Sequence, residues 1–175
     1  SATIAFNVVV TPVNDAPPAD DLPIQAIEDI PLSITLTGDD GDPETPQQQL
    51  TYIITSLPAT GALSETEGGA AIEALALPLT LQDPDIYFLT YLNDITEQSF
   101  GFKVEDDGNS QPPEVGDEYE SEEATVTISI ISVNDEPIAN GDNITATEDI
   151  ERSITLTGDD GDPEVTQLLT YIITS

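Results

Sequence analysis

An internal repeat constrains this fold more than any other feature of the sequence. The acidic hexapeptide Asp-Asp-Gly-Asp-Pro-Glu occupies residues 39–44 and returns at residues 159–164, an offset of 120 positions. The same offset relates two other pairs of segments, the Val-Asn-Asp-x-Pro stretches at 13–17 and 133–137 and the Glu-Asp-Ile triplets at 28–30 and 148–150. Matches at one fixed offset are the signature of a tandem array of equal structural units.

The repeat divides the chain into one whole unit and two partial ones. We predict that residues 1–12 are the last strand of a preceding repeat, that residues 13–137 are a complete repeat with its linkers, and that residues 138–175 are the first strands of a following repeat. Segments this short rarely close a hydrophobic core alone. Neighbouring repeats of the same chain, or identical subunits of a filament, are therefore expected to complete them.

Charge and residue usage limit the partners that the chain can have. Thirty-five acidic residues stand against Lys103 and Arg152, which gives a formal net charge of −33 at pH 7. Such a charge excludes nucleic acid and anionic membrane surfaces as electrostatic partners, and no apolar run is long enough to span a bilayer. Because His and Cys are absent, a metal site must use oxygen ligands, which favours hard cations such as Ca²⁺.

Hydrophobic periodicity predicts an all-β protein. Short alternating runs rich in Val, Ile, Thr, Tyr and Phe are separated by Gly, Pro, Asn and Asp, and no helical period competes with them. Predicted strands lie at residues 3–11, 23–27, 32–37, 50–55, 85–92, 99–104 and 124–132, while residues 68–75 fit either a loose strand or a short helical turn. Short strands with turn signals between them predict a β-sandwich of Greek-key type.

The repeated acidic turn is the candidate binding site. Asp40 and Asp42 flank Gly41, and carboxylates at alternate positions around a tight turn supply several of the oxygens that Ca²⁺ prefers. A turn without metal is the alternative, because Asp and Gly are common turn residues. The recurrence of the pattern at a fixed offset favours metal. An enzyme is not expected, since a hydrolase without His or Cys needs paired carboxylates in a cleft.

A second acidic region, residues 105–123, follows the predicted strand at 99–104. Connections of this length are usually functional or disordered. Two interpretations are equally compatible with the sequence, namely a solvated acidic extension of a hairpin and a second cation site.

The order of these motifs resembles cadherin-like repeats, the tandem calcium-binding domains of large bacterial surface proteins and adhesins. The resemblance rests on Glu28, Asp40-Gly41-Asp42, the strand sequence at 50–54, the Phe-Gly-Phe-Lys-Val-Glu-Asp-Asp-Gly stretch at 100–108, and the linker at 133–137. It covers the whole unit and both partial ones. The family's Asp-Arg-Glu triplet has no clear counterpart, although Asp94 and Glu97 lie near its place.

The resemblance implies calcium ligands at the junctions between units. The upper junction, at the N-terminal end of the complete unit, would use Asn14, Asp15, Asp40, Asp42 and Asp107. The lower junction, at its C-terminal end, would use Glu28, Asn134, Asp135, Asp160 and Asp162. Glu148 would serve a further junction beyond the following unit.

These inferences lead to one expected function and two alternatives. We expect a structural, calcium-rigidified repeat of an extracellular bacterial filament or adhesin stalk, located at the cell surface. One alternative is an adhesion module that binds a glycan or a protein. The other is an acidic halophilic surface domain whose charge serves solubility without a specific metal site.

Overall fold

The structure is a computed structural model, and it describes residues 3–10, 13–42, 47–108 and 118–174. In these ranges the regular elements are strands and one short 3₁₀ turn at Ala74–Ala76. The all-β prediction is therefore confirmed. The strands are β1 (Leu22–Ile27), β2 (Leu32–Thr35), β3 (Thr51–Ile54), β4 (Ala62–Ser64), β5 (Leu79–Thr80), β6 (Asp85–Leu89), β7 (Gln98–Glu105), β8 (Ala124–Ile131), β9 (Ile138–Ala139) and β10 (Gly158–Asp159).

The complete unit is a sandwich of two sheets. One sheet has the strand order β1-β8-β7-β3-β5, and the other has the order β2-β6-β4. Alternate residues of the long strands point inward, as in β8, where Ala124, Val126 and Ile128 are buried. They pack with Phe100 and Phe102 of β7 and with side chains of the second sheet in one continuous core.

The pairing of β1 with β8 is parallel, whereas the other strand pairs are antiparallel. In this pairing Leu22 lies opposite Val126 and Ile27 lies opposite Ile131. The C-terminal ends of β1 and β8 therefore meet at the same end of the sandwich. A hydrogen bond from Glu28 N to Ile131 O (3.0 Å) extends this ladder into the linker that follows β8.

Strand direction sorts the loops into two groups. The upper end of the sandwich carries the linker at 13–19, the turn after β2 and the segment after β7. The lower end carries the turn after β1, the loop after β6 and the linker after β8. Each end thus brings together residues that are far apart in sequence.

The structure differs from the strand predictions in two places, and it contains the turn rather than the strand of the two alternatives at residues 68–75. Strands β4 and β5 were not predicted, because three and two residues are too few to produce a visible alternation. Residues 68–75 contain no strand, and their end joins the 3₁₀ turn. Residues 3–10 form no strand either, and their apolar side chains are exposed.

The segment after the lower linker forms only the small β9–β10 sheet. Its counterparts of β1, β2 and β3 are exposed and have no strand partners within residues 138–174. The assignments of residues 1–12 and 138–175 to neighbouring repeats stay predictions.

Candidate metal centres at the two ends of the unit

The acidic turns share a local structure that follows from the sequence Asp-Asp-Gly. It occurs at Asp39, Asp106 and Asp159, and in each case the carboxylate of the first Asp accepts a hydrogen bond from the Gly N–H, at 3.0, 3.0 and 2.9 Å. All three glycines have a positive φ, which is cheap only for glycine. At Gly41 a Cβ would also lie 2.7 Å from the Ala16 carbonyl oxygen of the linker.

The second carboxylate of each repeated turn holds its linker. Asp42 Oδ1 accepts a hydrogen bond from Asp15 N at 3.2 Å, and Asp162 Oδ1 accepts one from Asp135 N at 2.9 Å. Both aspartates are 2% exposed. We call this arrangement the linker clamp.

A glutamine completes each linker clamp. Gln48 donates from its side chain to Asp42 Oδ2 (2.6 Å) and from its backbone to Asp40 Oδ2 (2.8 Å). Gln167 makes the same two bonds to Asp162 and Asp160. The two glutamines are 119 rather than 120 positions apart. The loop between the acidic turn and the Thr-Tyr-Ile-Ile sequence is one residue shorter in the following unit. Counting back three residues from the Thr-Tyr-Ile-Ile sequences would have found them.

At the upper junction, a buried amide and a buried carboxylate lie against each other. Asn14 Nδ2 donates to both oxygens of Asp106, at 3.1 and 3.2 Å, and to Glu118 O at 2.5 Å. Burial raises the pKa of Asp106, with smaller contributions of the same sign from Asp42 and Asp107, while the hydrogen bonds from Gly108 and Asn14 oppose the shift. The site thus gathers Asn14, Asp42 and Asp106 in one desolvated cluster.

At the lower junction, Glu28 is the central side chain. It follows β1 directly, so the parallel pairing with β8 places it beside the linker, where Val133 N donates to its Oε1. Glu28 is 0% exposed, and its other oxygen, Oε2, is buried with no hydrogen-bond partner among the residues that the structure describes. Burial is the main cause of the raised pKa of Glu28, and the nearby Glu164 carboxylate adds to it.

Two further side chains at the lower junction have buried oxygens for which the described part of the chain offers no hydrogen-bond partner. These are both carboxylate oxygens of Glu164 and the Oδ1 of Asn93. Asn93 lies in the loop after β6 with φ 58° and donates from Nδ2 to Gly161 O at 2.9 Å. The pKa of Asp135 is raised by burial, and by Asp29, Asp162 and Glu164 around it.

The structure brings most of the predicted ligands to their junctions. Asn14, Asp15, Asp40 and Asp42 meet at the upper end, and Glu28, Asp135, Asp160 and Asp162 meet at the lower end. Asn134 is exposed and donates to Asp135 O at 3.1 Å. Glu148 is exposed as well. Their roles as ligands, like those of the whole set, stay predictions.

Several residues of the clusters were not predicted. Of the two consecutive aspartates after β7 at the upper junction, Asp106 is buried, whereas the predicted Asp107 is exposed. At the lower junction Asn93 and Glu164 join Glu28, while Asp94, one of the two residues near the family's triplet, is held by Thr60 Oγ1 (2.5 Å) and Thr96 N (3.0 Å). These two hydrogen bonds, with that from the Thr96 side chain, lower the pKa of Asp94.

The oxygen atoms gathered at the lower junction suit Ca²⁺ better than they suit a network of hydrogen bonds within the protein. The free oxygens of Glu28, Glu164 and Asn93 are the carboxylate and amide oxygens that Ca²⁺ accepts. Both cationic side chains are engaged elsewhere, since Lys103 pairs with Glu120 and Arg152 donates to Thr145 O at 2.7 Å. Among the described residues, however, no three acidic side chains stand close enough to form a preformed metal site.

Comparisons with known proteins add little to this geometry. No model of a known protein family matches the sequence, and no curated protein matches it. The chain is similar to one solved structure, the crystal structure of the protocadherin GammaB4 extracellular domain, with a TM-score of 0.44 and 13% sequence identity. The match covers 86% of this chain and 25% of that one. In the described ranges no helix is long and apolar enough to cross a membrane.

Proposed function

We propose that the chain is a structural repeat whose junctions are rigidified by Ca²⁺. The observation that carries the proposal is the group of buried oxygens without partners on Glu28, Glu164 and Asn93, which lies where the complete unit meets the following turn. Leaving such groups unpaired is costly, and like charges in contact raise the cost. A divalent cation is the partner that would satisfy them.

The ligands at the lower junction would come from both sides of the linker. Glu28 and Asn93 belong to the complete unit, whereas Asp162 and Glu164 belong to the following turn. Asp135 lies between them on the linker itself. Because the carboxylates among these side chains repel one another when no cation is present, cation binding would draw them closer and connect the two units. Ca²⁺ would supply charge neutralisation there, and the linker clamp would orient the linker backbone.

The binding free energy of the metal would in this way stabilise the closed junction. A ligand that binds only the closed junction stabilises it by about 2.7 kcal/mol at a concentration of 100 times its Kd. Extracellular calcium modules bind at roughly 10⁻⁴ to 10⁻³ M. The role is mechanical rather than catalytic, and it suits a repeat of a bacterial surface filament or adhesin stalk with neighbouring repeats or identical subunits as partners.

The test is the cation dependence of thermal unfolding. We expect millimolar Ca²⁺ to raise the Tm of the 175-residue chain by several degrees, since about 1 kcal/mol shifts the Tm of a domain this size by a few degrees. Mg²⁺ should act less, because it prefers smaller, near-octahedral sites. Equal shifts with NaCl at matched ionic strength would contradict a specific site and favour the halophilic alternative.

A further inference from the structure

The following segment contains an Asn-Gly pair at Asn140 and Gly141, the only such pair in the sequence. It comes directly after β9, in residues that form neither helix nor strand. Asn140 N donates to Thr157 O at 3.0 Å, which holds the start of the pair to the β9–β10 sheet. From Gly141 onward the chain leaves that sheet.

The pair is unshielded in the described part of the chain. Both residues are exposed. Among the described residues, neither the Asn140 side chain nor the Gly141 N–H has a hydrogen-bond partner. A Cβ built on Gly141 would meet no atom within 4 Å. The side-chain amide of Asn140 is therefore free to approach the backbone nitrogen that follows it.

That approach allows the Gly141 nitrogen to attack the side-chain carbonyl carbon of Asn140. The new bond from nitrogen to Cγ closes a succinimide ring, while the side-chain amide takes the N–H proton and leaves as ammonia. Water then opens the ring at one of its two carbonyl carbons, which gives either Asp or its β-linked isomer, isoaspartate. Glycine favours ring closure because it has no Cβ to hinder the attack.

We propose that Asn140-Gly141 is a site of spontaneous deamidation and isomerisation in the following unit. The complete unit has Asp20 and Asp21 at the equivalent positions, where no amide can be lost. Deamidation to Asp gives the following unit the carboxylate that the complete unit already has at Asp20. Isoaspartate instead adds a methylene to the backbone between β9 and the β1-like sequence at 142–147. This inference goes beyond the proposed function and does not depend on it.

Two other asparagines near the lower linker provide internal comparisons. The backbone nitrogen that follows Asn134 donates to Asp162 Oδ1 at 2.9 Å, so the attacking atom is engaged there. Asn143 is exposed like Asn140, but Ile144 follows it, and a β-branched side chain crowds the backbone. Both should react more slowly than Asn140.

The experiment follows these asparagines in one peptide. Lys103 and Arg152 are the only basic residues, so trypsin releases residues 104–152 intact. The full chain is incubated at neutral pH and body temperature in water labelled with heavy oxygen, because the label marks only the products formed during incubation. Electron-transfer fragmentation then locates each product and separates Asp from isoaspartate.

Labelled product should form at Asn140 at least about tenfold faster than at Asn134 or Asn143, equivalent to about 1.4 kcal/mol in activation free energy. The rate at Asn140 in the native chain should be close to its rate in urea, since the fold leaves the pair unprotected. Gly141→Ala should slow the reaction by about tenfold. It is a matched variant, because the added methyl group meets no neighbouring atom.

Three results would overturn the proposal. Equal rates at Asn140 and Asn143 would remove the special role of the pair. An Asn140 that reacts in urea but not in the native chain would mean that the fold protects it. An unchanged rate in Gly141→Ala would exclude ring closure through the glycine nitrogen. None of these comparisons involves Ca²⁺, so each can fail or succeed separately from the proposed function.

Discussion

The two junctions have the same linker and turn sequences, but they differ in how deeply their linkers are buried. Asp42 and Asp162 are equally buried, at 2% exposure, and make the same bonds to linker and glutamine. Asn14 is 8% exposed, whereas its counterpart Asn134 is exposed. Asn14 is buried because Asp106 and Glu118 O lie against it, whereas Asn134 donates to Asp135 O of its own linker.

The comparison separates the features that the local sequence produces from those that require tertiary packing. The linker clamp forms at both junctions, so it needs only the turn, its glutamine and the linker. The burial of a glutamate, by contrast, needs a sheet. Glu28 is buried because β1 pairs with β8, and Glu148, which follows a β1-like sequence with no strand partner within residues 138–174, is exposed.

The largest effect is expected from removing the charges of the lower linker clamp. Asp160→Asn combined with Asp162→Asn should lower calcium affinity at the lower junction by about a hundredfold, equivalent to about 2.7 kcal/mol, and should make the linker flexible. The complete unit should stay folded, because its core lies outside these residues. Calcium titration by calorimetry and small-angle scattering would measure the two effects.

The control for that double variant is Asp149→Asn. Asp149 is exposed and has φ 60°, a conformation that Asn tolerates well. A double variant as rigid and as calcium-responsive as the parent would mean that the repeated acidic turn is only a turn.

A smaller effect distinguishes the two neighbouring acids of the upper junction. Asp106→Asn should weaken calcium binding there by about tenfold, or about 1.4 kcal/mol, because the buried charge lies beside Asn14 and Asp42. Asp107→Asn should have little effect, since that side chain is exposed. Calorimetric titration of both variants provides the comparison. The reverse ranking would restore Asp107 as the ligand that the sequence resemblance implies.

The choice between Asp106 and Asp107 illustrates what a sequence cannot decide. The pattern placed an acid after the strand now seen as β7, but which of two consecutive aspartates is buried depends on how the Asp-Asp-Gly turn packs against the linker. The first Asp caps the Gly N–H in all three Asp-Asp-Gly turns, but Asp39 and Asp159 are exposed, whereas Asp106 is buried against Asn14. Local turn chemistry is the same in these sequences and does not select Asp106, because its burial comes from the tertiary contact with the linker residue Asn14.

Asn93 and Glu164 could not be predicted as residues of the lower junction, for a different reason. They are 71 positions apart in the sequence, and they come near Glu28 only through the parallel β1–β8 pairing and the linker clamp. No periodicity or motif in the sequence indicates that arrangement. The repeat, the all-β class and the contact between linker and acidic turn were predictable, because each depends on short segments with clear turn or strand patterns.

The smallest expected effect tests whether the Asp-Asp-Gly turn is stabilised by the same local bond in both units. Asp39→Ala removes the acceptor for Gly41 N, and Asp159→Ala removes the acceptor for Gly161 N. Because these are exposed hydrogen bonds, each loss should cost about 0.5–1.5 kcal/mol. Only Asp39→Ala should lower the midpoint of urea unfolding of the complete unit, since Asp159 lies in the following segment. Asp39→Asn is the matched control, because Asn caps the same turn. If Asp159→Ala lowered that midpoint as much as Asp39→Ala does, the following turn would be part of the cooperative unit, and the separation of local from tertiary causes would be wrong.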